Sequence, residues 1–253
     1  MRNRQNIRLV VTGALGRMGG TVCRLAAQDH RFSSLRGADR IAGCMAGISV
    51  CAGIESIKEP ADVVVDFSAP QALDEILSWC TGCGAGCVLC ATGYTASQQA
   101  QIRQAAAQIP VFQSANCAPG VWLLAHLVRQ AAAALPGYDI EILEAHHSAK
   151  KDAPSGTALL LADAVDAAGE RRPRVFGRGP DDGRRTRSEV GIHAIRAGSI
   201  TGTHTVLLAG PYETLSLTHS ADSRQLFAFG ALEAAAFLAG HPAGYYTMEE
   251  LIP

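Results

Sequence analysis

The sequence predicts an α/β protein of two domains. The first is an N-terminal doubly wound parallel sheet, and the second is an α+β domain with a mostly antiparallel four-stranded sheet. Two observations carry this prediction. In the first half, short apolar runs at residues 7–11, 61–68 and 87–94 alternate with helical stretches, and the first run feeds a glycine-rich turn. In the second half, strand-like runs at 191–197, 202–208 and 213–220 follow one another across the turn signals Gly198-Ser199-Ile200-Thr201-Gly202 and Gly210-Pro211-Tyr212. The expected boundaries are 1–117 for the first domain, completed by 224–253, and 118–223 for the second.

The strand at 7–11 is followed at once by Thr12-Gly13-Ala14-Leu15-Gly16-Arg17-Met18-Gly19-Gly20, and then by a helix with Val22, Leu25 and Ala26 at helical spacing. Strand, glycine turn and helix make the Rossmann-type dinucleotide unit. Gly13 and Gly16 allow backbone to approach a pyrophosphate held on the helix N-terminus. The spacing is Gly-x-x-Gly-x-x-Gly, weaker by itself than Gly-x-Gly-x-x-Gly. About 20 residues past the glycines, such a unit places an acid on the ribose hydroxyls. Asp39 fits, at the end of a run whose Ser33, Ser34, Arg36 and Gly37 carry little strand propensity. Arg40 next to it suits adenine stacking or a 2′-phosphate, so the pair points to NADH or NADPH.

Residues 41–60 are rich in Ala and Gly. A helix is expected from 71 to 80, another near 97–108, and a connecting helix at 121–135. A strand at 138–144 leads into Glu144-Ala145-His146-His147-Ser148-Ala149-Lys150-Lys151-Asp152-Ala153-Pro154-Ser155-Gly156-Thr157, and an apolar helix follows at 157–168. Ser155 is the expected N-cap, and Pro154 blocks an earlier helical start. The N–H groups of Ser155, Gly156 and Thr157 are then expected to face an anion, with histidines and lysines arriving from the strand end. That is a pocket for a carboxylate or phosphate with proton donors alongside. A basic surface loop is the plain alternative. The chain closes with a small-residue helix at 226–238.

Composition narrows the function classes. The 253 residues are 48% apolar with a formal net charge of −1, so a large core is available and no basic field exists for nucleic acid. The tightest basic cluster, residues 171–187, is interrupted by acids and glycines and reads as a solvated loop. No apolar run reaches the roughly 18 residues of a membrane span. The N-terminus runs straight into a strand and is not expected to be a secretory signal. A reducing cytoplasm and free thiols are therefore the expectation for the 8 cysteines.

The stretch His146-His147-Ser148-Ala149-Lys150-Lys151-Asp152-Ala153-Pro154-Ser155-Gly156-Thr157-Ala158 resembles the signature of the 4-hydroxy-tetrahydrodipicolinate reductase family, also called dihydrodipicolinate reductase. The resemblance runs over nearly the whole chain and weakens between about 29 and 60. It implies an NAD(P)H-dependent oxidoreductase of the diaminopimelate route to lysine, acting on a cyclic dicarboxylate, and a homotetramer assembled through the second-domain sheets. It implies His146 and Lys150 as the catalytic pair, without settling which hands over the proton. His147, Ser155, Gly156 and Thr157 are implied as substrate contacts.

For the cofactor, Gly-Arg-Met-Gly implies Arg17 near the phosphates with Met18 beside it. Asp66-Phe67-Ser68-Ala69-Pro70 is similar to the family loop beside the nicotinamide ribose, which implicates Phe67 and Ser68. Where the family has Gly-Thr-Thr-Gly, this chain has Cys90-Ala91-Thr92-Gly93, so Ala91, Thr92 and Gly93 are implied chiefly through their backbones. Ser114 and Asn116 match the family loop that helps hold the cofactor, although Cys117-Ala118-Pro119 departs from its aromatic-serine continuation. Arg224 matches a family arginine near the domain junction.

Cys80, Cys83, Cys87 and Cys90 have spacings that suit a metal site. Cys87 and Cys90 fall on one strand, where side chains three apart point to opposite faces, so no metal is expected. His193, His204 and His219 are expected as packed or surface histidines. Two rival readings remain. One is another two-domain NAD(P)-dependent dehydrogenase, and the other is a non-catalytic NAD(H) and thiol redox sensor.

Overall fold

The structure is a computed structural model describing residues 6–169 and 171–252. Its strands and helices are, in chain order, β1 (Ile7–Thr12), α1 (Arg17–Ala26), β2 (Phe32–Asp39), β3 (Gly43–Met45), β4 (Ile48–Ala52), β5 (Val63–Asp66), α2 (Leu73–Cys83), β6 (Gly86–Leu89), α3 (Ala96–Ala106) and β7 (Pro110–Gln113). Then come α4 (Pro119–Ala134), β8 (Asp139–His146), α5 (Gly156–Asp166), β9 (Arg174–Phe176), β10 (Val190–Arg196), β11 (Thr203–Ala209), β12 (Thr214–Ser220), α6 (Gln225–Leu238), β13 (Gly244–Tyr246) and α7 (Met248–Leu251). The chain divides into two compact units, one reaching to Pro119 and resuming at Gln225, the other Gly120–Arg224.

The first unit is built on an eight-stranded sheet in the order β13-β7-β6-β5-β1-β2-β4-β3. All its pairings are parallel except β3 with β4. Val63, Val64 and Val65 of β5 are all buried, because strands with both faces covered need apolar side chains on both. The chain leaves β1 toward β2 on one side and returns to β5 on the other. The strand order therefore reverses at β1, and the carboxyl edge there is where ligands of such sheets bind. β2 forms despite its poor propensity because β1 and β4 pair with it on both sides. The Ala- and Gly-rich stretch after it supplies two added strands, β4 beside β2 and β3 at the edge.

Helix ends follow their local chemistry. Thr95 and Gln98 form a reciprocal capping box at the start of α3. Gly84 at φ 73° terminates α2 in the left-handed region. Small residues let α6 lie close to its neighbours: a Cβ on Gly230 would sit 1.6 Å from the Cys117 carbonyl oxygen.

The second unit carries a five-stranded sheet, order β12-β11-β8-β10-β9, not the four strands expected. The fifth, β9, is three residues long and lies inside the basic cluster, too short to show a period. β11 runs antiparallel to β8 and β12, as expected. β10 runs parallel to β8 and β9, because α5 intervenes between β8 and β10 and a helical crossover returns the chain in the same direction. Ile140, Ile142, Val206, Leu208, Val190 and Ile192 cover α5 residues Leu161 and Val165 with one apolar core.

The basic cluster is a largely exposed loop, as expected, and part of it is held by ion pairs. Arg185 donates to Glu141, Asp139 and the carbonyls of Ile140 and Glu189, and Arg178 pairs with Glu189. Arg178 and Arg185 thus tie an otherwise exposed loop to Glu189 and to the acidic residues of β8. No helix among the described residues is long and apolar enough to cross a membrane.

Candidate active site

The site residues fall into two groups, one in each unit. In the first unit, a cavity of about 690 Å³ follows the carboxyl edge of the sheet, lined by residues that include Gly13, Gly16, Asp39, Arg40, Phe67 and Ser68. The turn after β1 is tight: Gly13 has φ 67°, and a Cβ there would lie 2.7 Å from the Phe67 carbonyl oxygen. A Cβ on Gly19 would lie 2.1 Å from the Gly13 carbonyl oxygen, so backbone packs on backbone. Gly16 is the N-cap of α1 and provides no side-chain cap, which leaves the N–H groups of the first turn to a ligand.

Asp39 reaches the same turn. Its Oδ2 accepts from the Leu15 N–H at 2.9 Å and its Oδ1 from the Arg40 N–H at 2.8 Å. Two backbone donors hold the carboxylate at the cavity wall.

Asp66, at the head of the Phe67-Ser68 loop, organises it through its carboxylate. Asp66 is buried, and its Oδ1 accepts from Thr12 Oγ1 at 2.6 Å, the Ser68 N–H at 2.8 Å and Ser68 Oγ at 2.5 Å. Tyr94 donates to its Oδ2 at 3.4 Å, and burial followed by the Asp66 charge pushes the Tyr94 phenol well up. Asp66 thus ties β1, the Phe67-Ser68 loop and the loop after β6 together.

A second cavity of about 250 Å³ shares Phe67 with the first, and Met18, Ser114 and Phe227 line it too. Ser114 Oγ donates to the Asn116 carbonyl at 2.8 Å, and Asn116 Oδ1 accepts from the Ala118 N–H at 3.0 Å. Ala91, Thr92 and Gly93 form an irregular loop after β6, with Gly93 at φ 85°. Arg17 opens α1.

In the second unit, β8 alternates: Ile140, Ile142, Glu144 and His146 all face inward. Glu144 is 1% exposed. Its carboxylate accepts from His146 Nδ1 at 2.6 Å, from Arg196 Nη1 and Nη2 at 2.8 Å each, and from the Ser155 N–H at 3.0 Å. Burial opposes its ionisation, but Arg196, His146 and the Ser155 N–H outweigh that and hold it below the usual carboxylate value.

Ser155 caps α5, its Oγ accepting from the Ala158 N–H at 3.2 Å and meeting His204 Nε2 at 2.9 Å. The expectation that the Ser155 N–H faces an anion is corrected here. That N–H is spent on Glu144, because a buried carboxylate needs donors on every side. Gly156, exposed, and Thr157, half-buried, remain at the helix mouth.

Lys150 Nζ pairs with Asp152 at 2.9 Å, and Asp152 is largely exposed. Lys151 is exposed, and His147 Nε2 lies 3.0 Å from Arg224, which the structure therefore groups with the histidine loop. His204, set aside in the sequence reading, is buried opposite Glu144 on β11. Its ring meets that of His146 edge-on at 5.1 Å. Burial, then the nearby His146, push it down to about 4, so it is neutral. His193 pairs with Glu141 at 2.7 Å. The signal that would have found Glu144 is the period of two, which places a carboxylate on the core face of β8, where only a paired charge survives.

Among the described residues, no group of three or more His, Cys, Asp or Glu side chains converges to hold a metal.

Comparison with known proteins adds to this geometry. A family model described as dihydrodipicolinate reductase, N-terminus, matches residues 7–117, and one described as dihydrodipicolinate reductase, C-terminus, matches residues 120–252. The chain is 42% identical to the 4-hydroxy-tetrahydrodipicolinate reductase of Caldanaerobacter subterraneus subsp. tengcongensis, over 97% of this chain and 98% of that one. It is 39% identical to the enzyme of the same name from Clostridium tetani, over 96% of each. A solved structure of dipicolinate-bound dihydrodipicolinate reductase from Paenisporosarcina sp. TG-14 shares the fold, with TM-score 0.81 at 24% identity over 98% of this chain and 100% of that one.

Proposed function

The chain belongs to the dihydrodipicolinate reductase family, and from that premise we propose which of its residues carry the reaction. The protein is an NAD(P)H-dependent oxidoreductase that reduces 4-hydroxy-tetrahydrodipicolinate to tetrahydrodipicolinate, in the diaminopimelate route to lysine. The observation that carries the assignment of roles is the buried Glu144–His146 pair at the mouth of the α5 helix, with Lys150 on the same loop.

The first unit suits a dinucleotide. The uncapped start of α1, with Gly13, Gly16 and Arg17, takes the pyrophosphate. Asp39 accepts from the adenosine ribose hydroxyls, and Arg40 lies over the adenine side. Phe67, Ser68 and the 91–93 loop take the nicotinamide ribose, and Met18, Ser114 and Asn116 the nicotinamide end. When bound, the nicotinamide supplies the hydride.

The second unit holds the substrate, a ring carrying two carboxylates. One carboxylate displaces Asp152 from Lys150, a cheap exchange because that ion pair faces water. Gly156 and Thr157 receive it at the positive end of α5. His147, steadied by Arg224, flanks the other carboxylate. Glu144 fixes Nδ1 of His146, which makes Nε2 the atom that exchanges protons. His146 and Lys150 together supply the proton and the positive charge that a reduced imine requires. We also place the protein in the cytoplasm, where a biosynthetic reductase finds its nicotinamide. We take it to be a homotetramer closed through the outer face of the second sheet, where Ile195 lies exposed.

Dipicolinate, an aromatic diacid that cannot be reduced in this way, tests the substrate half directly. Calorimetry should detect its binding to the wild type and lose most of that heat in Lys150→Ala. Equal binding by both proteins would remove Lys150 from the carboxylate site.

A further inference from the structure

Two cysteines that the hydride chemistry does not use meet at the smaller cavity of the first unit. Cys90 follows β6 and Cys117 lies beyond β7. These strands are parallel neighbours, with Leu89 opposite Gln113, and the Ser114 N–H donates to the Leu89 carbonyl at 3.1 Å. The pairing delivers both residues to one edge, and their Sγ atoms lie 3.5 Å apart. Both line the cavity, which is the route by which a small reagent reaches otherwise buried sulfur. Cys80 and Cys87 make the contrast: they sit in the apolar core and line neither cavity described above. The Cys90 thiol beside it holds Cys117 below the usual thiol value against the effect of burial, while Cys117 and burial push Cys90 up. Cys117 is therefore the sulfur that loses its proton more readily of the two.

We infer that Cys90 and Cys117 form an oxidisable dithiol site, which a hydroperoxide converts to a disulfide at the wall of this cavity. The Cys117 thiolate attacks the peroxide oxygen, the O–O bond breaks, an alcohol or water leaves, and Cys117 carries a sulfenic acid. Cys90 sulfur then attacks the Cys117 sulfur. The S–S bond forms, the S–O bond breaks, and the hydroxyl leaves with the Cys90 proton as water. Two electrons pass from the pair of sulfurs to the peroxide.

Closing the pair from 3.5 Å to the roughly 2.05 Å of a disulfide shifts the sulfurs that line the cavity. The Cys117 carbonyl is backed by α6 at Gly230, and Asn116 Oδ1 grips the Ala118 N–H at 3.0 Å, so the adjustment falls on the cavity wall. Under the proposed cofactor placement this wall receives the nicotinamide, and the disulfide therefore weakens NADH. That consequence rests on the cofactor reading; the crosslink itself does not.

The test uses the full chain, reduced and then treated with hydrogen peroxide, followed by alkylation, peptide mapping and NADH titration by fluorescence. The expected result is a Cys90–Cys117 disulfide, reversed by dithiothreitol and absent in Cys117→Ser and in Cys90→Ser. NADH affinity should fall about tenfold in the oxidised wild type and stay unchanged by peroxide in Cys117→Ser, which lacks the attacking sulfur. A map without the Cys90–Cys117 link, or with Cys80 joined to Cys87 instead, overturns the site. An oxidised protein that carries the link yet binds NADH as the reduced one does overturns its effect on the cofactor. Failure of the reduced protein to bind NADH would strike the cofactor reading, and the peptide map would still decide the dithiol site.

Discussion

His146 Nδ1 lies 2.6 Å from Glu144 Oε2, two residues back on the same face of β8, and the same carboxylate takes both Nη atoms of Arg196. A buried glutamate therefore fixes both the tilt and the tautomer of the imidazole assigned to proton transfer. Glu144→Gln keeps the shape and removes the charge. Turnover should fall on the order of 10- to 100-fold with NADH affinity unchanged, the size seen when the outer partner of a ring nitrogen is lost. Unfolding free energy should fall by about 3 kcal/mol as Arg196 loses its buried partner. Steady-state kinetics and urea unfolding check this; unaltered turnover would make Glu144 purely structural.

Lys150→Ala should lower turnover by about 10²- to 10⁴-fold and leave NADH binding intact, since Lys150 belongs to the second unit and the dinucleotide contacts to the first. Fluorescence titration beside kinetics separates the two effects. Near-normal turnover would exclude Lys150 from the chemistry.

Asp39→Ala should move preference from NADH toward NADPH, because the carboxylate at the cavity wall repels a 2′-phosphate while Arg40 attracts it. The ratio of kcat/KM for the two cofactors is the readout. An unchanged ratio would discredit the placement of the adenosine ribose. Some loss of stability is expected too, since Asp39 holds the Leu15 N–H of the glycine turn.

Acid should loosen the second unit in two overlapping windows. Folded His204 is pushed down to about 4 from an ordinary value of 6.5, so the unfolded chain binds the extra proton between those values. Stability therefore falls as pH drops through that window, by up to about 3 kcal/mol. Glu144 lies below its ordinary 4.5, so its contribution is complete above that value and is lost as pH falls through the lower, folded one. Denaturant unfolding at a series of pH values should show the first loss flattened in His204→Gln. An identical slope in wild type and variant would mean that His204 is not the group responsible.

Much of this was legible before any coordinates. The glycine turn, the strand that follows 61–68 into Ser68, and the Pro154-Ser155-Gly156 helix start are local signals, and local signals survive in sequence. What stayed hidden depends on pairing between distant segments. β2 reads poorly because its stability comes from β1 and β4 on either side. His204 reads as an ordinary packed histidine until register sets it opposite Glu144. Ser155 reads as a cap and is one, but its N–H goes to a carboxylate eleven residues earlier, which capping rules alone do not reveal. Cys90 and Cys117 read as departures from the family pattern, and only the β6–β7 pairing shows that they are neighbours.

On the proposed reading, the loop from His146 to Thr157 binds the cyclic diacid, and the first glycine turn holds the nicotinamide that reduces it. The most direct test is the spectrophotometric oxidation of NADH and NADPH by the wild type with enzymatically generated 4-hydroxy-tetrahydrodipicolinate. Stoichiometric oxidation that depends on this substrate, and that collapses in Lys150→Ala, is the predicted result. A folded protein that binds NADH but leaves it unoxidised with the substrate present would contradict the account.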